Sequence, residues 1–107
     1  MPTEAATDHC QLDVIHTAEH ALSRYQLALQ CPTQGKAFRY EISVNKKGPA
    51  GSSRTSQSGK GVMDATTQTL GNIKVNTSPQ DNVEVTGMIR DSDNQIIAEI
   101  SKVFPPQ

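Results

Sequence analysis

Tryptophan is missing from the sequence, and the aromatic complement is two tyrosines and two phenylalanines, 4% of the chain. A protein that reads sugars by ring stacking needs exposed aromatic rings, so that class starts from a weak position. Cysteine occurs only as Cys10 and Cys31, never as a Cys-x-x-Cys pair, which argues against a structural zinc site. There is no run of about 18 apolar residues, so no helical membrane span or membrane insertion is expected. Neither a Gly-x-Ser-x-Gly elbow nor a phosphate-binding glycine loop is present, and no set of acids, bases and nucleophiles converges in sequence. The expectation is a protein that is not an enzyme and uses no cofactor and no metal.

Apolar residues fill only 35% of the 107 positions, yet valine, isoleucine and leucine recur throughout, which predicts a thin core and not a disordered chain. One folding unit, 9–107, is expected, preceded by a flexible tail, 1–8. Residues Met1 to Asp8 lack the basic start and the apolar stretch of a signal peptide. They fit either a cytosolic protein or a mature secreted one carrying a start methionine. The net charge of −1 is unevenly placed: between Lys36 and Lys60 stand six cations against Glu41, leaving −6 on the remainder. That balance predicts a basic stretch on an acidic body and gives no bulk attraction to nucleic acid.

The C-terminal two-thirds reads as strands. Phe38, Tyr40, Ile42 and Val44 alternate with Arg39, Glu41, Ser43 and Asn45, the period of two of a strand with one wet face. Val83, Val85, Gly87 and Ile89 do the same, and after the turn Asp91-Ser92-Asp93-Asn94 so do Ile96, Ala98 and Ile100. Folding about that turn sets Ile89 against Ile96, Gly87 against Ala98 and Val85 against Ile100. In Leu70, Ile73 and Val75 the parity changes across Gly71-Asn72, which a bulge at Gly71 would reconcile. Gly48 to Gly61 holds no large apolar residue and fits a loop or a polar edge strand, and Pro105-Pro106 ends the last strand.

The N-terminal third admits two readings. Leu12, Ile15, Glu19, Leu22, Tyr25 and Leu29 fall three to four apart, as on a helix. As two strands joined by a turn near Glu19 to Leu22, mirroring pairs His16 with Tyr25, Val14 with Leu27, Leu12 with Leu29 and Cys10 with Cys31. All four pairs match in character, and the hairpin brings the cysteines within bonding range, where a helix would hold them about 30 Å apart. Strands are therefore favoured. A disulfide there would contribute roughly 3 kcal/mol and favour an oxidising compartment; the alternative is two buried thiols in a cytosolic protein. Seven strands result, about 10 to 17, 23 to 31, 37 to 45, 51 to 57, 69 to 77, 82 to 90 and 95 to 103. The fold class is all-β, an immunoglobulin-like antiparallel two-sheet β-sandwich.

Few residues invite chemistry. His16 and His20 would share a helix face, and His9 adjoins Cys10, but on strands His16 is half buried and the others are solvated. Asp91 and Asp93 lack the later glycine and glutamate of a calcium loop and read as a turn. What stands out is the polar run Gly51 to Gly59, flanked by Lys46, Lys47 and Lys60, whose plain reading is a solvated loop or a charge-protected edge.

The order of Tyr40-x-Ile42-x-Val44, the glycine- and serine-rich stretch ending Gln57-Ser58-Gly59, Leu70, Asn76-Thr77-Ser78-Pro79-Gln80-Asp81, and Val83 onward with its aspartate-rich turn resembles the curli assembly inhibitor family. The resemblance spans Phe38 to Phe104. It is closer to the CsgH branch than to CsgC, which carries two cysteines one residue apart on one strand, and this departure weighs against a redox role and favours a structural disulfide. The resemblance implies an immunoglobulin-like sandwich in the periplasm that keeps the curli major subunit from forming amyloid, without ATP and at low ratio. On that reading Arg39, Lys46, Lys47, Arg54 and Lys60 steer the unfolded client, and Ser52, Ser56, Gln57 and Ser58 offer a polar edge. With no exposed apolar stripe in view, a monomer is expected. The competing classes are an extracytoplasmic binding or adhesion sandwich for carbohydrate or protein, and a pilus-type chaperone that donates a strand.

Overall fold

The computed structural model describes residues 10–64 and 67–106. The expected tail 1–8, and His9, lie outside the described residues. Seven strands follow in order: β1 Gln11–Glu19, β2 Leu22–Gln30, β3 Ala37–Gly48, β4 Gly51–Val62, β5 Gln68–Asn76, β6 Asn82–Asp91 and β7 Ile96–Phe104. They form a three-stranded sheet, β1-β2-β5, and a four-stranded sheet, β4-β3-β6-β7, with every pairing antiparallel. The core lies between the sheets. Tyr25, Leu27 and Leu29 of β2 are fully buried against Phe38, Ile42, Val85 and Ile89 of β3 and β6. This is the two-sheet, immunoglobulin-like sandwich expected from the alternation.

The N-terminal hairpin has the predicted register, with His16 opposite Tyr25, Val14 opposite Leu27 and Leu12 opposite Leu29. One step further Cys10 and Cys31 are joined as a disulfide, their Cα atoms 4.3 Å apart. The bond ties two neighbours of one sheet. The turn is short because His20 takes a positive φ of 56°.

Gly71 carries the predicted bulge. Tyr25 faces Ile73 and Leu27 faces Leu70, so β5 spends one more residue than β2 over the same span. Gly71 has φ of 75°, and its carbonyl accepts from Gln26 Nε2 at 3.1 Å. Both flanking apolar residues thereby stay on the core face.

Two expectations need correction. Strands three and four do not stop at 45 and 57: the ladder runs from Gly48 opposite Gly51 to Ala37 opposite Val62. The polar run is an ordered edge strand along its whole length, although none of its twelve residues is buried. Its glycines explain how. Phe38 and Tyr40 lie directly opposite Gly61 and Gly59. Tyr40 folds over Gly59 so closely that a Cβ there would sit 2.7 Å from the ring. Aromatic rings shielding glycines of an edge strand anchor it where no apolar side chain does.

The register of the last hairpin is shifted by two, with Ile89 opposite Ala98, Gly87 opposite Ile100 and Arg90 opposite Ile96. Ile97 is the extra residue of a bulge, so Ile96, expected inward, is 46% exposed, and Ile97 packs on the core instead. The cause is the turn. Asp91 Oδ1 accepts from the N–H groups of Asp93 and Gln95, both at 2.9 Å, and Asn94 takes a φ of 65°. That arrangement holds Gln95 in the loop and delays pairing.

Candidate functional site

Alternation along β3, β4 and β6 sorts the polar residues onto the outer face of the four-stranded sheet. Reading across the register, Lys60, Arg39 and Arg90 form one row, with Ile96 beyond them. The next rows are Ser58, Glu41, Met88 and Glu99, then Ser56, Ser43, Thr86 and Ser101, then Arg54, Asn45, Glu84 and Val103. Ser52, Lys47 and Asn82 complete the face.

Three cations on adjacent strands, each opposite the next, repel one another by a few tenths of a kcal/mol per pair. Arg39 and Lys60 make no ion pair or hydrogen bond among the described residues that would offset this, and Arg90 reaches only the Asn94 carbonyl, at 3.2 Å. The row lies in a concavity of about 380 Å³ lined by Glu41, Ser58, Met88 and Asn94, and Arg39 and Lys60 also border a second, of about 610 Å³. Five cations and three carboxylates share the whole face. Near β4 the balance is most positive, because Lys60, Arg39, Arg54 and Lys47 meet only Glu41 there. That excess gives the β4 side of the face a positive potential, and its hydroxyl rows carry few apolar groups.

Of the sequence-predicted residues, Arg39, Lys47, Arg54 and Lys60 share this face with Ser52, Ser56 and Ser58. Lys46 and Gln57 do not. They have the opposite parity and turn toward the other sheet, where Lys46 Nζ donates to the Asn76 carbonyl at 2.7 Å and Gln57 Oε1 accepts from Asn72 N–H at 2.6 Å. Both fasten β4 and β3 to β5. Ser56 is partly engaged as well, its hydroxyl 2.8 Å from that of Ser43. Arg90 is the cation that sequence reasoning missed. Its outward parity was readable, but its place beside Arg39 depends on the pairing of β3 with β6.

A further cleft, about 170 Å³, lies between the sheets and is bordered by His16, His20, Ser23, Tyr25, Asp81 and Phe104. The His16 ring stacks on Tyr25, centroids 4.7 Å apart, and meets the edge of Phe104 at 4.9 Å. Burial lowers the His16 pKa from its ordinary value. Burial also raises that of Tyr25, the Ser23 hydroxyl working against this and the Asp81 charge adding to it. The Asp91 carboxylate is engaged within its own turn, accepting from the Asp93 and Gln95 N–H groups, as expected of a turn residue.

The fold and face define an immunoglobulin-like sandwich that presents a cationic, hydroxyl-rich sheet. No family model matches the chain, and no curated protein matches it by sequence. Among solved structures, the chain is similar to CsgH of R. palustris, with a TM-score of 0.69 and 22% identity, over 91% of this chain and 92% of that one. It is also similar to the E. coli curli protein CsgC, in a structure described as SeCys, with a TM-score of 0.67 and 20% identity, over 91% of this chain and 99% of that one. These likenesses establish the shared fold.

Proposed function

We propose that this chain is a curli assembly inhibitor of the CsgH type: a periplasmic, ATP-independent, chaperone-like protein that keeps the curli major subunit from forming amyloid. The observation that carries the reading is the row Lys60, Arg39 and Arg90, joined on one face by Arg54 and Lys47, on a fold like that of CsgH and CsgC. The disulfide supports an oxidising compartment.

Amyloid nucleation needs strands of several chains to meet, so a weak, reversible binder that diverts early species acts below equal stoichiometry. Long-range attraction raises the encounter rate more than the affinity, as such a binder requires. A carbohydrate-binding sandwich is the weaker reading, because Tyr25 and Phe38 are buried and Tyr40 and Phe104 partly so, so that none of the four rings is fully exposed to stack on a sugar.

The test is aggregation of purified curli major subunit, followed with an amyloid dye, with this protein well below equal concentration at low and high salt. Inhibition that fades with salt is expected, since screening shortens to about 3 Å at 1 M. Undiminished aggregation at both salts would reject the reading.

A further inference from the structure

Sheet edges are where a folded domain can accept a strand from another chain, and this molecule treats its edges unequally. The β5 edge is broken by the Gly71 bulge, and its Asn72 N–H is already taken by Gln57. The β7 edge carries the Ile97 bulge and runs into Pro105 and Pro106, and it meets β1 through the Phe104 contact with His16. The β1 edge is unbroken over nine residues but lies beside β7, which it meets through His16–Phe104 and Asp13–Lys102, whereas β4 is twelve residues of uninterrupted ladder with no proline and no bulge.

The phase of its hydrogen bonds follows from both ends. The two-residue turn makes Gly48 and Gly51 a bonded pair, and just past the other end Met63 N–H donates to the Lys36 carbonyl at 2.8 Å. Odd-numbered residues of β4 therefore bond to β3. The N–H and C=O groups of Ser52, Arg54, Ser56, Ser58 and Lys60 point away from the sheet, as does the Val62 carbonyl, which accepts from Gln68 Nε2. The same even-numbered residues put their side chains on the cationic face.

We infer that the β4 edge is a strand-addition site for an extended acidic segment of another polypeptide. An added strand pairs its backbone with Ser52 to Lys60 and sets alternate side chains beside Lys60, Ser58, Ser56 and Arg54. Lys60 and Arg54 are six residues apart on one face, so the preferred segment has two carboxylates six apart, with small polar residues between them. Two copies of β4 would bring like charge together, which disfavours self-pairing. The edge geometry stands without the proposed function, which bears only on the natural occupant.

The probe is a capped ten-residue peptide of Ser, Thr and Gln with Glu at its second and eighth positions. Two controls move the second Glu to position seven, on the opposite face, or replace both with Lys. At saturation, amide exchange at Arg54, Ser56 and Ser58 should slow by about tenfold or more, with odd-numbered amides unchanged because they are already bonded. The controls should not do this. Ser58→Pro removes an outward N–H and no ladder bond, so it should abolish protection while Ser58→Ala keeps it. N-methylation of the peptide amides facing β4 should do the same with the protein untouched.

Protection that is equal for all three peptides, survives Ser58→Pro, or is absent would overturn the inference. So would protection in the free protein that grows with its concentration, which would assign the edge to a second copy. Shifts confined to Arg39 and Arg90 would mean binding on the face alone and would leave the inhibitor reading standing.

Discussion

His16 closes the seam between β1 and β7, its ring stacked on Tyr25 and edge-on to Phe104. Partial burial penalises the imidazolium, so the folded-state pKa lies below the ordinary 6.5. The sign follows from proton uptake. Between the lowered value and 6.5 the unfolded chain holds more protons than the folded one, so stability rises with pH in that window. It is fully present above 6.5 and is lost as pH falls through the folded pKa. Urea unfolding of the wild type should weaken from pH 7.5 to 5, and His16→Gln should be less stable at pH 7.5 but flatter with pH. Parallel pH curves for the two proteins would show that His16 does not carry the effect. Gly71 acts through backbone instead: at φ of 75°, with Ile42 Cγ2 only 3.1 Å from where a Cβ would stand, Gly71→Ala should cost about 1–2 kcal/mol.

At the scale of elements, parity along β3 and β4 decides which cations can act together. Lys46 and Lys47 are neighbours in sequence and point to opposite faces. Lys46→Met should lower stability by about 1 kcal/mol, through the lost bond to Asn76, and leave inhibition at its wild-type level. Lys47→Met should leave urea midpoints unchanged and weaken inhibition at low salt. The reverse pattern would refute the assignment of faces. This sorting was half readable in advance. Alternation in Phe38 to Asn45 gave the faces of β3, and the match of four residue pairs gave the β1–β2 register, because side-chain character and a short turn both constrain it. The β6–β7 register escaped because the Asp91 carboxylate holds a longer loop than residue types suggest, and shifting by two keeps the same face apolar. Arg90 escaped for another reason: pairing between β3 and β6 is set by the whole sandwich, and no local pattern encodes it.

For the whole molecule, stability and the cationic face belong to different sheets. The disulfide joins β1 to β2, while Lys60, Arg39 and Arg90 stand on the other sheet. With the cysteines 21 positions apart in sequence, the bond restricts the unfolded chain and contributes about 3 kcal/mol. β1 is an edge strand whose ladder runs to β2 alone, and its one ion pair among the described residues, Asp13–Lys102, spans 3.9 Å between exposed side chains and is worth little. Replacing both cysteines with alanine should therefore lower the unfolding free energy by about 3 kcal/mol in urea titrations. At temperatures where the variant remains folded, its inhibition of amyloid formation and the salt dependence of that inhibition should match the wild type. A folded variant that has lost inhibition would move the client site to the β1–β2 sheet, since no change at Cys10 or Cys31 alters the charges or the register of β3, β4 and β6.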